Sequence, residues 1–250
     1  MMTHHKNHST QHLARIAGWL YLLLIPLGVL GIIYVPATLF VSGDVASTIN
    51  NIVANELLFR LSIVSAFLVQ LVNIFVVLYL YKLLKPVNQN HAFLMALFLL
   101  LAVPITLINE LFHVAVLVLL NSAEPSLSLV SLFLELHVHG IFVSQIFWGL
   151  WLFPMGYLVF KSGFLPKFLG VLLMIGCMGY VIDSVTHFLF PDFGLTVSEF
   201  TFIGEVLLPL WLVTKGVDVE NWAVLNSSNR NFEHASKDRR TKGAVIIAIP

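Results

Sequence analysis

Charge is scarce in this chain. Only 10% of its 250 residues are Asp, Glu, Lys or Arg, against about 25% in ordinary soluble domains. The two signs cancel, with 13 Lys+Arg against 13 Asp+Glu. No basic stripe is left to neutralise phosphates, and a nucleic-acid partner is excluded. Cysteine is scarcer still. The single thiol, Cys177, rules out an intrachain disulfide and leaves the redox compartment undetermined. Placed mid-helix, it reads as a small buried apolar residue rather than a nucleophile. Also missing are a phosphate-binding loop, a Ser-His-Asp signature and an HExxH zinc motif.

What is plentiful is hydrocarbon. Hydrophobic residues make up 58% of the chain, more than a soluble globule of this length can hide, so lipid must be the solvent for much of it. The stretch from His137 to Pro191 organises the rest. It holds two apolar runs, uncharged from Gly140 to Phe160 and from Phe168 to Ile182, joined by the basic turn Lys161-Ser162-Gly163-Phe164-Leu165-Pro166-Lys167. Each run approaches the ~20 residues needed to cross ~30 Å of hydrocarbon. Polar residues collect at the far ends, with His137 and His139 on one run and Asp183 and His187 on the other.

The same hairpin carries a family resemblance. The run FWGLWLFPMGYLVFKSGFLPKFLGVLL, followed by GYVIDS and Pro191, resembles a bacterial family of multi-pass membrane proteins catalogued as domain of unknown function number 4386. The likeness extends through ARIAGWLYLL (Ala14 to Leu23), LYKLLKPVN (Leu80 to Asn88) and LWLVTKGV (Leu210 to Val217). It covers most of the chain apart from the tail. The resemblance implies a fold and a location; it brings no activity and no functional residues.

Read in order, the chain predicts an all-α integral membrane bundle. Residues 1–13 form a polar tail whose His4, His5, His8 and His12 read as a solvated terminus rather than a metal tract. Residues 14–217 hold six transmembrane helices, at about 14–34, 56–81, 92–120, 137–160, 168–190 and 197–214. The first is too long for a signal-peptide core and lacks a cleavage site, so it reads as an uncleaved span, kinked at Pro26. Ser42 to Asn55 is a turn-rich loop with a short helix after Asp44, and 127–136 reads as an interfacial prelude to the fourth span. Residues 218–250 lose the hydrophobic pattern and read as a disordered tail, although Gly243 to Pro250 is apolar again.

Basic residues set the expected orientation. Lys6, Arg15, Lys82, Lys85, Lys161, Lys167 and Lys215 fall on one side, and the opposite loops carry Asp44, Glu124 and Asp192 with no Lys or Arg. The positive-inside rule then puts both termini in the cytoplasm of a bacterial cell whose inner membrane holds the bundle. Tyr79, Tyr81, Tyr157 and Trp211 fit an inner aromatic girdle.

Ionisable side chains inside a bilayer are costly and raise a functional hypothesis. Helix three carries Glu110 and His113, helix four Glu135 and His139, helix five Asp183 and His187. Spacings of three or four put both members of a pair on one helical face. At ~1.5 Å rise per residue, Glu110, His113, His139, Asp183 and His187 lie ~24–33 Å from the basic ends of their helices, and Glu205 lies deeper, ~15 Å from Lys215. Carboxylates and imidazoles projecting from facing helices are the donor set of bundle metal sites. The expected ligands are Glu110, His113, His139, Asp183 and His187, with Glu135, His137, Glu205, Glu56 and Arg60 around the pocket. The expected cofactor is a divalent metal such as zinc, or iron or manganese with more oxygen donors.

Three functional classes remain open. A metal-assisted hydrolase would act on a lipid or small apolar ligand from the outer leaflet. A proton-coupled transporter would use Glu110, Asp183 and Glu205, although no inverted repeat is visible. A non-catalytic accessory protein would use the same groups only as interhelical hydrogen bonds, the role also expected of Gln70, Asn73, Asn109 and Gln145. The bilayer is the one partner the composition implies; protein partners are not legible.

Overall fold

A computed structural model describes residues 2–124, 126–190 and 194–228, without the side chains of residues 2–8. The N-terminal histidines His4, His5 and His8, the loop residue Asp192 and the apolar end 243–250 therefore lie outside the described side chains. Among the described residues every regular element is helical. In chain order these are α1 (Met2–Gly28), a π-helical segment (Val29–Tyr34), α2 (Val35–Leu39), α3 (Val45–Ala54) and α4 (Glu56–Leu84). There follow α5 (Gln89–Leu120), α6 (Leu127–Lys161), α7 (Lys167–Leu189), α8 (Ser198–Thr201), α9 (Ile203–Thr214) and α10 (Val219–Ser228).

Five stretches are long and apolar enough to cross a bilayer: Ser9–Leu39, α4, α5, α6 and α7. A sixth is formed by Ser198–Thr214 if it is taken with α10, to which it is bent by 100°. The protein is a multi-pass membrane bundle. Its long helices close into a ring, α1 against α4, then α5, α6, α7 and α9, and back to α1. The faces turned outward carry bulky apolar side chains such as Trp19, Leu57, Phe75, Ile108, Val118 and Met178. Buried inside are Gln70, Asn73, Asn109, Glu110 and His113, the inside-out polarity expected when lipid is the solvent.

Packing rather than hydrophobic exclusion holds such a ring together, because lipid tails are as apolar as leucine. The α6–α7 seam shows how. Gly156 and Gly170 face each other so closely that a Cβ on Gly156 would sit 2.6 Å from the Gly170 carbonyl oxygen. The turn between these helices needs Gly163, whose φ of 69° is left-handed.

Several boundaries differ from expectation, each for a local reason. Helix α1 starts at Met2 instead of Ala14, and Gln11 ties it to the far end of the chain, donating to the Lys215 carbonyl (3.1 Å) and accepting from Val217 N–H (3.2 Å). The first span runs through Pro26 and past the expected end at Tyr34. It passes into the π-helical segment, where Val35 N–H reaches back to the Leu30 carbonyl, and ends at Leu39. Pro36 has no N–H to offer Ile32, which favours a shifted hydrogen-bond register there. The expected interfacial prelude at 127–136 is no separate element. Nothing in it breaks a helix, and α6 runs unbroken for 35 residues, about 52 Å at 1.5 Å per residue, so it tilts or protrudes.

The tail is also not structureless from Asp218. Helix α10 folds under the bundle, with Asp218 N–H donating to the Phe164 carbonyl (3.1 Å) and Trp222 Nε1 to the Leu83 carbonyl (2.8 Å). The short helix expected after Asp44 is α3, capped as Asp44 accepts from Ser47 N–H (2.9 Å) and Ser47 Oγ (2.6 Å). Those bonds hold the Asp44 carboxyl below its ordinary pKa.

Two apolar clusters divide the bundle along its length. One, toward the lysine-bearing end, contains Leu80, Leu84, Met95, Met155 and Leu212. The other, toward α3, contains Leu39, Ile52, Phe59, Val116 and Val130. Between them α4, α5 and α6 each contribute polar side chains to a common layer, and that layer holds the site.

Candidate functional site

Helix α5 supplies most of the layer. Thr106, Asn109, Glu110 and His113 stand at i, i+3, i+4 and i+7, a single stripe turned toward the bundle axis in an otherwise apolar helix. All four are buried. Opposite them α6 presents His137 and Ser144, seven residues apart and also buried. The helices are locked in register by Asn109, whose Nδ2 donates to the His137 carbonyl (3.0 Å), while Thr106 Oγ1 lies 3.2 Å from Ser144 Oγ. Asn109 can lie there because Gly140 has no side chain. A Cβ at that position would fall on the Asn109 amide.

This registration brings three titratable groups together. Glu110 Oε1 is 3.0 Å from His137 Nε2, and its Oε2 is 3.4 Å from His113 Nδ1. The second contact is too long for a well-formed hydrogen bond, and both ring nitrogens of His113 are buried without a hydrogen-bond partner. The His113 and His137 rings stack, 3.4 Å apart at their centroids and 19° from parallel. Phe59 closes over the other side of His113 at 4.9 Å. One donor atom from each of Glu110, His113 and His137 lies within 4.8 Å of the others.

Electrostatics narrow what such a group can hold. An isolated carboxylate buried in apolar surroundings needs a compensating positive charge. Two stacked imidazoles cannot both be imidazolium ions without strong repulsion. The cluster therefore balances with one histidine as imidazolium, with the proton on Glu110 itself, or with a cation between all three groups.

Glu110, His113 and His137 also line a cavity of about 260 Å³ enclosed by α1, the π-helical segment, α2, α4, α5 and α6. Gln70 joins them there, with its Oε1 buried and without a partner. Most of the remaining wall is apolar, including Leu27, Pro36, Ile141 and Trp148.

The other residues expected at the site are elsewhere. His139 is exposed, because two residues along a helix is a rotation of ~200° from His137. Its Nδ1 lies 2.8 Å from His187 Nε2, and His187 stacks on Phe142 at 3.6 Å. Asp183 is buried on α7, where its two oxygens accept from Val197 N–H (2.6 Å) and Ser198 N–H (2.8 Å) at the start of α8. Glu135 is exposed and accepts from Ser131. Glu56 and Arg60 form an exposed ion pair on the first turns of α4. Glu205 accepts from Tyr21 OH (3.2 Å) in a separate contact between α9 and α1. The five expected ligands therefore divide among three places, and His137 stands where His139 was expected.

Among known proteins, one described as "Uncharacterized protein" from Archaeoglobus fulgidus is 35% identical over 155 residues, covering 62% of this chain and 83% of the relative. No solved structure matches the chain. A family model described as "Domain of unknown function (DUF4386)" matches residues 16–216.

Proposed function

From a chain that belongs to the family described as domain of unknown function DUF4386, we propose a membrane-embedded metal centre. Its ligands are Glu110, His113 and His137, its ion is zinc, and its open side faces the apolar cavity. One observation carries this reading: three donor groups converge on a cavity, and one of them, His113, has no hydrogen-bond partner at either ring nitrogen. Two imidazoles and one carboxylate are a donor set that zinc accepts in catalytic sites, where a fourth position stays open. Tetrahedral donors at ~2.0–2.2 Å from the ion are ~3.5 Å apart, close to the 3.0 and 3.4 Å that separate the Glu110 oxygens from His137 Nε2 and His113 Nδ1.

A zinc ion in such a site would supply water activation and carbonyl polarisation. The residues of the chain do the rest. Phe59 and the stacked rings keep bulk water away from Glu110, Asn109 holds the His137 turn in place, and the apolar wall selects an apolar substrate. The activity proposed is hydrolysis of a lipid-like substrate.

The positive-inside pattern supports an orientation with Lys85, Lys161, Lys167 and Lys215 in the cytoplasm and both ends of the chain inside. The centre then lies in the outer half of a cell membrane.

The direct Glu110–His137 hydrogen bond supports a second reading, in which a proton replaces the metal and the cavity belongs to a proton-linked binding or transport protein. Metal analysis of the purified full chain separates the two. About one zinc per chain, lost on Glu110→Gln, supports the metal centre, and a metal-free protein after zinc loading and desalting favours the proton.

A further inference from the structure

The cavity has a side door. The first span would normally place side chains across it, but two of its wall positions are glycines. A Cβ at Gly28 would meet nothing within 4 Å, and one at Gly31 only the Ser62 carbonyl oxygen at 3.8 Å. Gly28 precedes the π-helical turn and Gly31 lies within it, a distortion that often marks functional positions. Among the described residues the substantial contacts of that segment are with α1, α2 and α4 alone. Helix α9 pairs with α1 lower down, as the Tyr21–Glu205 contact shows. It starts only at Ile203, so among the described residues the π-helical segment has no such helix beside it. Ile32 on this segment and Val138 on α6 both line the cavity, yet are 57% and 44% exposed. Wall residues this exposed put one edge of the cavity at the outer surface of the bundle, between the π-helical segment and α6.

The inner end has the opposite character. Gln70 is 1% exposed, borders the cavity and leaves its Oε1 unsatisfied. A buried acceptor without a donor is destabilising, a cost relieved by a ligand that brings an O–H or N–H. The volume of about 260 Å³ falls below the ~300–1,000 Å³ of pockets that enclose a whole drug-sized molecule. An occupant with a long chain therefore leaves part of it outside among the lipid tails.

We propose that the cavity is a lateral binding site for a single-chain lipid whose polar end carries a hydroxyl donor. The lipid enters from the bilayer between the π-helical segment and α6. Its polar end reaches Gln70 and the Glu110, His113 and His137 group, while its chain lies along Gly28, Gly31 and Ile141. Chain binding rests on the cavity alone. Only the fate of the polar end rests on the proposed metal centre, and the two are measured separately.

The test uses the full chain in lipid nanodiscs and a non-hydrolysable alkylglycerol ether with a photoactivatable diazirine in its chain. Labelling is expected in peptides covering 27–36 and 138–148, saturable by unlabelled alkylglycerol. Gly31→Phe should reduce it at least tenfold with zinc content unchanged. Gln70→Leu should weaken alkylglycerol binding about tenfold and leave binding of the di-O-methyl analogue, which has no donor, unaltered. Labelling spread over the outer surface, or indifferent to both substitutions, overturns the proposal. Should Gly31→Phe fail to fold, Gln70→Leu with the two probes still decides. Site-specific labelling without zinc upholds the lipid site and removes the metal centre; zinc without saturable labelling does the reverse.

Discussion

The imidazole of His113 lies flat against that of His137, with 3.4 Å between centroids and 19° between planes. Two adjacent helices thus deliver two rings to one carboxylate, Glu110, and that arrangement distinguishes this cluster from the other polar contacts in the bundle.

The first consequence concerns which histidines matter. His137→Ala should lower zinc affinity by at least ~100-fold, the upper range for loss of a mere supporting partner. His139→Ala and His187→Ala should leave it unchanged, since that pair bonds to itself and packs on the Phe142 and Phe188 rings, away from Glu110. Competition titration with a zinc chelator on the three purified variants checks this.

Asn109 and Gly140 should behave as a coupled pair. Gly140→Ala forces the Asn109 amide off the His137 carbonyl and should cost about 1–3 kcal/mol of stability, as overpacking does. In an Asn109→Ala background the same change should cost clearly less. A double-mutant cycle from unfolding in mixed micelles measures the difference; additive costs would show that the amide is not what fills the space.

Asp183 is expected to be structural. Asp183→Ala leaves the Val197 and Ser198 N–H groups without their acceptor, a loss of about 2 kcal/mol by the usual cost of helix caps and unmet donors. Zinc content should be unaffected. The same unfolding assay, paired with metal analysis, distinguishes this from a ligand role, in which metal would be lost as well.

The proposed orientation is testable with cysteines, because the one native thiol, Cys177, is buried. Cysteine placed at the exposed Asn90 should react with an impermeant maleimide only after the membrane is opened. Cysteine at the exposed Ser42 or Ser122 should react on intact cells. The opposite pattern would place the histidine–glutamate cluster in the inner half of the bilayer.

The helices were legible because uncharged runs and lysine-bearing turns leave few alternatives, and Glu110 with His113 stood out as ionisable groups inside such a run. Choosing between His137 and His139 was harder. Pairing within one helix favoured His139, four residues from Glu135, whereas contact across helices selected His137, seven residues from Ser144. The usable signal was the stripe Thr106, Asn109, Glu110 and His113, whose period shows which face of α5 turns inward. The role of Gly140 was hidden, since a glycine's use depends on what the neighbouring helix brings to it. So was the role of Asp183, because its partners are backbone N–H groups of a later segment. The π-helical turn was equally hidden, with only Pro26 and Pro36 to mark its surroundings.

The central claim is that Glu110, His113 and His137 share one metal ion. Zinc-edge X-ray absorption on the full chain, purified without chelator and paired with its metal stoichiometry, tests it most directly. The account predicts about one zinc per chain with two imidazole nitrogens and a carboxylate oxygen at ~2.0–2.2 Å, a signal that disappears in His113→Ala and His137→Ala. A chain that stays metal-free after zinc loading, or that keeps its zinc in both variants, would contradict it.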